Sequence, residues 1–302
     1  MGTADLRIGT SGWNYPAGRG TWNGIFYPPS RGRAKGFDEL SFYAEHFNTV
    51  EVNSTFYGQP REDVCRKWAR RTPPGFEFSI KLYRKFTHPK MVDLEPATVF
   101  DIDEFKRGID PIASAGKLGA LLAQFPPSFK SDRASLDYLH SLLQAFAGYE
   151  LAVELRHKSW SDAFGETLSL LKTHGAAFVQ IDEPKFKLSI AQNQLPNIPT
   201  FYYMRLHGRN AAQWWAHEKA EDRYNYLYSA PEITEFVETI GAAREIVKKT
   251  YLYTNNHFSA KSVANAAMIK KQLGEPLDGE YPGEFRERYP ELVGVPELRN
   301  RK

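Results

Sequence analysis

Short apolar segments of strand length alternate with helix-period segments from one end of the chain to the other. That alternation constrains the fold more than any other feature. The strand-like segments are 7–13, 49–56, 77–83, 118–125, 151–156, 176–182, 201–207 and 250–255. Helical patterning fills most of the intervals, over 37–47, 62–71, 101–115 (interrupted by Pro111), 132–147, 161–174, 231–249 and 259–273. Gly116 and Gly175 are helix stops and Pro231 suits a first turn. A strand that returns through a helix to a parallel neighbour makes a right-handed βαβ unit. Eight such units in about 270 residues predict an α/β fold closed as a (β/α)8, or TIM, barrel.

On this reading 1–302 is one barrel domain, with the Pro- and Glu-rich stretch 274–302 a C-terminal tail over its surface. A chain with 42% hydrophobic and 25% charged residues suits a soluble protein with a large core. The net charge of +3 is a weak basic lean, far from the charge blocks of a nucleic-acid-binding tail. The lone Cys65 excludes an internal disulfide and a multi-cysteine zinc site. Residues 1–7 lack the apolar core of a signal peptide, and no stretch approaches the roughly 20 apolar residues of a membrane span. A cytoplasmic location without membrane contact is expected; nothing in the sequence sets an oligomeric state.

Two connections are irregular. The segment 183–200 carries three prolines and no clear helix, and 208–230 concentrates Trp214, Trp215, Tyr224, Tyr226 and Tyr228. Long ordered loops in a compact domain are usually functional.

Barrel strands are buried on both faces, so both parities should read apolar. Here one parity does not. Glu51 and Asn53 alternate with Val50 and Val52, and Ser79 and Lys81 with Phe78, Ile80 and Leu82. Glu154 and Arg156 alternate with Val153 and Leu155, Gln180 and Asp182 with Val179 and Ile181, and Arg205 and His207 with Met204 and Leu206. If the apolar parity faces the helices, the polar one points into the barrel near its C-terminal mouth, where barrel enzymes place their chemistry. Buried charges must be paired with one another, bind a ligand, or do both.

The same segments carry a family likeness. The runs 9–13 (GTSGW), 49–57 (TVEVNSTFY), 124–127 (QFPP), 154–157 (ELRH), 205–208 (RLHG) and 255–256 (NN) resemble the YecE-like family, also called domain of unknown function 72. The likeness spans roughly residues 6 to 275 and implies a TIM barrel; the family name supplies no activity. More distantly, such barrels are similar to the xylose-isomerase-like group, which includes metal-dependent endonucleases for abasic sites, and that step is analogy of fold alone.

Lys81, Arg84, Arg156 and Arg205 would converge on the mouth as a site for a phosphate or carboxylate, the arginines offering bidentate forks. The structural alternative is an internal salt-bridge layer, Glu51 with Lys81 and Glu154 with Arg156 or Arg205. His207 with Glu154 and Asp182 would form a general acid–base set, His207 giving a proton to the leaving group. Those three could also hold a divalent metal, but the nearby cations compete with an ion, so no cofactor is expected. Asn53, Gln124, Asn255 and Asn256 offer amide edges for a ligand or for loop backbone. Trp13, Tyr15, Trp22, Phe56, Tyr57, Trp160, Trp214 and Trp215 would make an aromatic rim for bases or sugars, Trp13 and Tyr57 first among them. The expected partner is an anionic or phosphorylated small molecule, or a nucleic acid, and the expected function an anion-binding barrel acting as a phosphoester hydrolase on a nucleotide or nucleic acid. The alternatives are a non-catalytic nucleic-acid-binding module and a carbohydrate-active hydrolase pairing Glu51 with Glu154, which needs carboxylates roughly 5 to 9.5 Å apart, one free of Arg.

Overall fold

A computed structural model describes residues 4–31, 33–88, 96–192 and 195–292. The elements run β1 (Asp5–Thr10), α1 (Glu39–Ala44), β2 (Thr49–Val52), α2 (Glu62–Arg70), β3 (Glu77–Lys81), α3 (Arg84–Thr87), α4 (Val99–Ser114), β4 (Leu118–Gln124) and α5 (Arg133–Ala145). They continue with β5 (Leu151–Glu154), α6 (Ser159–Asp162), α7 (Phe164–Thr173), β6 (Ala177–Phe178), β7 (Gln180–Asp182), β8 (Phe201–Leu206), α8 (Ala230–Arg244), β9 (Lys249–Thr254), α9 (Lys261–Gln272) and α10 (Gly283–Arg288).

All strand pairs are parallel, in the orders β2-β3-β4-β5-β6 and β1-β9-β8-β7. Two seams join these sheets into a barrel. β6 and β7 are halves of one sixth strand, parted at Val179, the first half pairing with β5 and the second with β8. At the other seam Ser11 bridges to Glu51, and the Gly12 N–H donates to the Glu51 carbonyl at 2.8 Å. Gly9 permits that approach, because a Cβ there would stand 2.1 Å from the Thr49 carbonyl oxygen.

Three expectations change. Pro111 does not interrupt its helix: α4 runs through it to Ser114, held by buried Phe105, Ile109 and Ile112. The stretch after Gly274 does not merely lie over the surface, since Tyr281, Phe285, Tyr289 and Leu292 are buried in the core. Phe285 packs on Phe26, and Tyr281 packs edge-on to His46. The sixth strand, thirdly, reverses its parity, as the site geometry makes plain. The connection 183–200 carries no helix among its described residues, so one position in the outer helical ring is vacant. No helix among the described residues is long and apolar enough to cross a membrane.

The barrel interior is polar in successive layers. Near the N-terminal end Glu77 takes the Tyr251 hydroxyl at 2.7 Å and lies 3.1 Å from the Lys249 ammonium. Above it the Tyr253 hydroxyl bonds Ser79 at 2.8 Å and Thr49 at 2.7 Å. Each buried polar group there has its partner, which is what makes such an interior tolerable.

Candidate functional site at the barrel mouth

The topmost interior layer is built around Arg205, 1% exposed. Strand pairing sets Arg205 between β7 and β9 and aims it inward. Its Nε and Nη2 donate to the two oxygens of Glu51 at 2.9 and 2.7 Å, a bidentate fork. Its Nη1 donates to Glu154. Glu51 accepts two further bonds, from Ser11 Oγ and the Tyr203 hydroxyl, each at 2.8 Å. Burial alone would raise the Glu51 carboxyl; Arg205, Ser11 and Tyr203 together pull it below the usual range. Glu154 is likewise buried yet held well below that range by Arg205 and Arg156.

Arg156 extends the chain outward. Its Nε donates to Glu154 at 2.7 Å, and its Nη1 lies 2.9 Å from Glu183, close enough for an ion pair but off the axis of a hydrogen bond. Burial raises the Glu183 carboxyl, Arg156 opposing and Glu154 adding to the effect. Strand parity does not mark Glu183, which lies one residue past the end of β7.

His207 lies between these groups, fully buried. Arg156 Nη2 and Arg205 Nη1 face its Nε2 at 3.2 and 3.3 Å, and the Asn255 amide meets Nδ1 at 2.9 Å. Asn255 Nδ2 is the atom set against Nδ1, so three donors surround a ring that has one lone pair; exchanging the Asn255 amide oxygen and nitrogen lets Nδ1–H donate to Oδ1 and leaves the Nε2 lone pair to the guanidiniums. Burial, with Arg205 next, lowers the imidazole to about 4 against the pull of Glu154. His207 is therefore neutral, and its one basic atom is occupied.

Lys81 and Arg84 stand apart from this network. The Lys81 ammonium donates to Gln124 Oε1 and lies 4.1 Å from the centre of the Phe56 ring. Among the described residues no carboxylate comes within 4.0 Å of Lys81 or Arg84; the expected Glu51–Lys81 pair is replaced by Glu51–Arg205. The Nε of Arg84 is buried without a hydrogen-bond partner among the described residues. Burial, then Arg205, lowers Lys81 to about 7, with Glu154 and Glu51 opposing and Arg156 assisting. His88, 4.9 Å from Phe56, is lowered to about 4 by burial and by Lys81, Arg156 and Arg84.

Several expected members fall elsewhere. Asp182 does not join Glu154 and His207. In the sixth strand Ile181, not Asp182, shares the register and face of Arg205, so Gln180 and Asp182 point outward. Asp182 is bound by Arg209 Nε at 2.8 Å and by the Tyr228 hydroxyl at 2.8 Å. The supposed triad of metal donors is thereby split, and among the described residues no group of three His, Cys, Asp or Glu is arranged to hold an ion. Asn256 serves the loops: its Nδ2 donates to the Tyr226 carbonyl and to Asn265 on α9, at 2.8 and 2.7 Å. Asn53 Oδ1 is buried and unpartnered beside the site.

Most of the aromatic rim is packing. Trp22, Trp160 and Trp214 are buried, and the indoles of Trp22 and Trp160 donate to the carbonyls of His257 and Phe129. Trp13 packs edge-on against Trp68 of α2, and Tyr15 stacks on His257. Tyr57 at 71% and Trp215 at 64% remain exposed, the latter beside Phe186. The carbohydrate-hydrolase reading loses its condition, since Arg205 holds both Glu51 and Glu154.

The family model described as protein of unknown function DUF72 matches residues 7–285. The UPF0759 protein YunF of Bacillus subtilis (strain 168) is 28% identical over 290 residues, covering 92% of this chain and 96% of that protein. A DUF72 family protein of Thermotoga maritima MSB8 superposes with a TM-score of 0.76 at 33% identity, covering 90% of this chain and 100% of that one. One of Enterococcus faecalis V583 superposes at 0.78 with 25% identity, covering 90% and 97%.

Proposed function

We propose that this chain, which belongs to the DUF72 family, binds an anionic group of a small molecule, nucleotide or nucleic-acid end across Lys81, Arg84 and Arg156, and acts there on a phosphoester. One observation carries the reading. Arg205, deep in the mouth, is saturated by Glu51 and Glu154, and Arg156 is paired with Glu154 and Glu183 on part of its fork, whereas Lys81 and Arg84 have no carboxylate within 4.0 Å among the described residues. A desolvated cation without a counter-charge is stabilised by an arriving anion, and Arg84 supplies a planar fork for it.

The acid–base groups follow from the same electrostatics. His207 is spent on two guanidinium donors, so the proton carrier passes to Lys81. At about 7 its ammonium is partly deprotonated in neutral solution, suited to protonating a leaving oxygen. Glu183, its carboxyl raised by burial, is the complementary base at the same opening. The exposed rings of Tyr57, and of Trp215 beside Phe186, offer flat faces for a base, which favours a nucleotide-like ligand.

The experiment is a phosphoester panel, with 4-nitrophenyl phosphate, its bis ester and a 5′-mononucleotide, run on wild type, Lys81→Met and Arg84→Met. Turnover falling at least tenfold in Lys81→Met, and KM rising in Arg84→Met, is the expected result. Equal turnover in all three proteins would remove the assignment.

A further inference from the structure

The vacant place in the helical ring leaves a cavity on the opposite side of the sheet from the mouth. A barrel strand ordinarily buries apolar side chains beneath a helix. The sixth strand instead turns Gln180 and Asp182 outward, and no helix among the described residues of 183–200 covers them. Between β7, β8 and α8 this opens a groove of about 610 Å³, the size of a small-molecule site. Its floor is apolar, made by Met204 and Leu206 of β8 and Phe236 of α8.

Two buried polar groups in that floor lack partners. Gln180 is 4% exposed and Tyr202 is 1% exposed, yet among the described residues Gln180 Nε2 and the Tyr202 hydroxyl have no hydrogen-bond partner. They lie on neighbouring strands and on one face, because Gln180 pairs with Met204, two residues beyond Tyr202. Leaving such atoms unmet weakens folding, and a Leu and a Phe would fill the same volume without that penalty. Asp182, at the groove edge, is already satisfied by Arg209 and Tyr228.

We propose that this groove is a second ligand site, separate from the mouth, for an uncharged planar ring bearing an amide or lactam edge. The ring lies on Met204 and Phe236. Its carbonyl oxygen accepts from Gln180 Nε2, which can only donate, and its ring or amide N–H meets the Tyr202 hydroxyl. Anion binding at the mouth is not required for this site, and loss of either leaves the other.

Nicotinamide and uracil are the probes, soaked into crystals of the full chain and followed in solution by saturation-transfer NMR. The expected result is a ring in the groove bonded to Gln180, with affinity at least tenfold weaker in Gln180→Leu and abolished in Thr239→Trp, which fills the groove from α8. The melting temperature of Gln180→Leu should equal or exceed that of wild type, separating lost binding from lost folding. Ordered waters alone on Gln180 Nε2 and Tyr202, or a probe signal unchanged in both variants, would overturn the proposal.

Discussion

Replacing Arg205 by Met tests whether the deep layer of the mouth is structural. The guanidinium supplies two of the four bonds to Glu51 and one bond to Glu154. Without it Glu154 keeps Arg156, but Glu51 retains only the Ser11 and Tyr203 hydroxyls in a fully buried place. The least costly relief is for Glu51 to take up a proton. That costs about 1.4 kcal/mol for each pH unit above the ordinary Glu value of about 4.3, hence about 4 kcal/mol at pH 7 and about 1 kcal/mol at pH 5. The first figure falls within the roughly 3–5 kcal/mol typical of a broken buried pair.

The sign of the pH dependence is fixed by the direction of each shift. In wild type the Glu51 value is depressed, so its contribution is present above the unfolded value and lost as pH falls through the folded one. In the variant the Glu51 value would be raised, so stability is present at low pH and lost as pH rises. The deficit of Arg205→Met should therefore widen between pH 5 and pH 7 in urea or guanidinium unfolding. A deficit below about 1 kcal/mol at pH 7, or one flat with pH, would refute the assignment of Arg205 as the counter-charge that holds Glu51.

Lys81→Met should behave in the opposite way. Its folded value is lowered, so wild type binds fewer protons than the unfolded chain between about 7 and the unfolded lysine value, and its stability climbs through that window. Denaturation should find Lys81→Met as stable as wild type or more so, the gain largest below pH 7 and shrinking toward pH 10. On the acid side His88, His207 and His257 are each lowered to about 4, chiefly by burial. The unfolded chain then takes up the extra protons, and melting temperature should drop steeply as pH falls from 6.5 to 4. Phe285→Ala, at a fully buried site, should cost about 3–5 kcal/mol in chemical denaturation; a change under about 1 kcal/mol would show that the C-terminal stretch is not core.

The barrel was legible because helix and strand periods alternate, and most of the mouth because its inward residues are charged. Glu51, Glu154, Arg156 and Arg205 meet as their parity implied. Parity misled at Gln180 and Asp182, where a polar residue faces out because no helix covers it. A single sequence marks which parity is polar, but cannot tell which side a missing helix has opened to water. Tyr203, Tyr251 and Tyr253 escaped notice for a related reason: they pattern as apolar, yet each carries a hydroxyl into the interior network. The tryptophans failed the other way, their indole N–H groups being met by loop carbonyls rather than by a ligand.

The proposed anion site depends on Lys81, which has no carboxylate within 4.0 Å among the described residues. Its ammonium can be titrated directly by NMR of 13Cε-labelled lysine, with and without inorganic phosphate. We expect one lysine, absent from Lys81→Met, to titrate near 7 in the free protein and at a higher pH once phosphate is bound. A Lys81 signal that titrates with the surface lysines, unmoved by phosphate, would contradict the account.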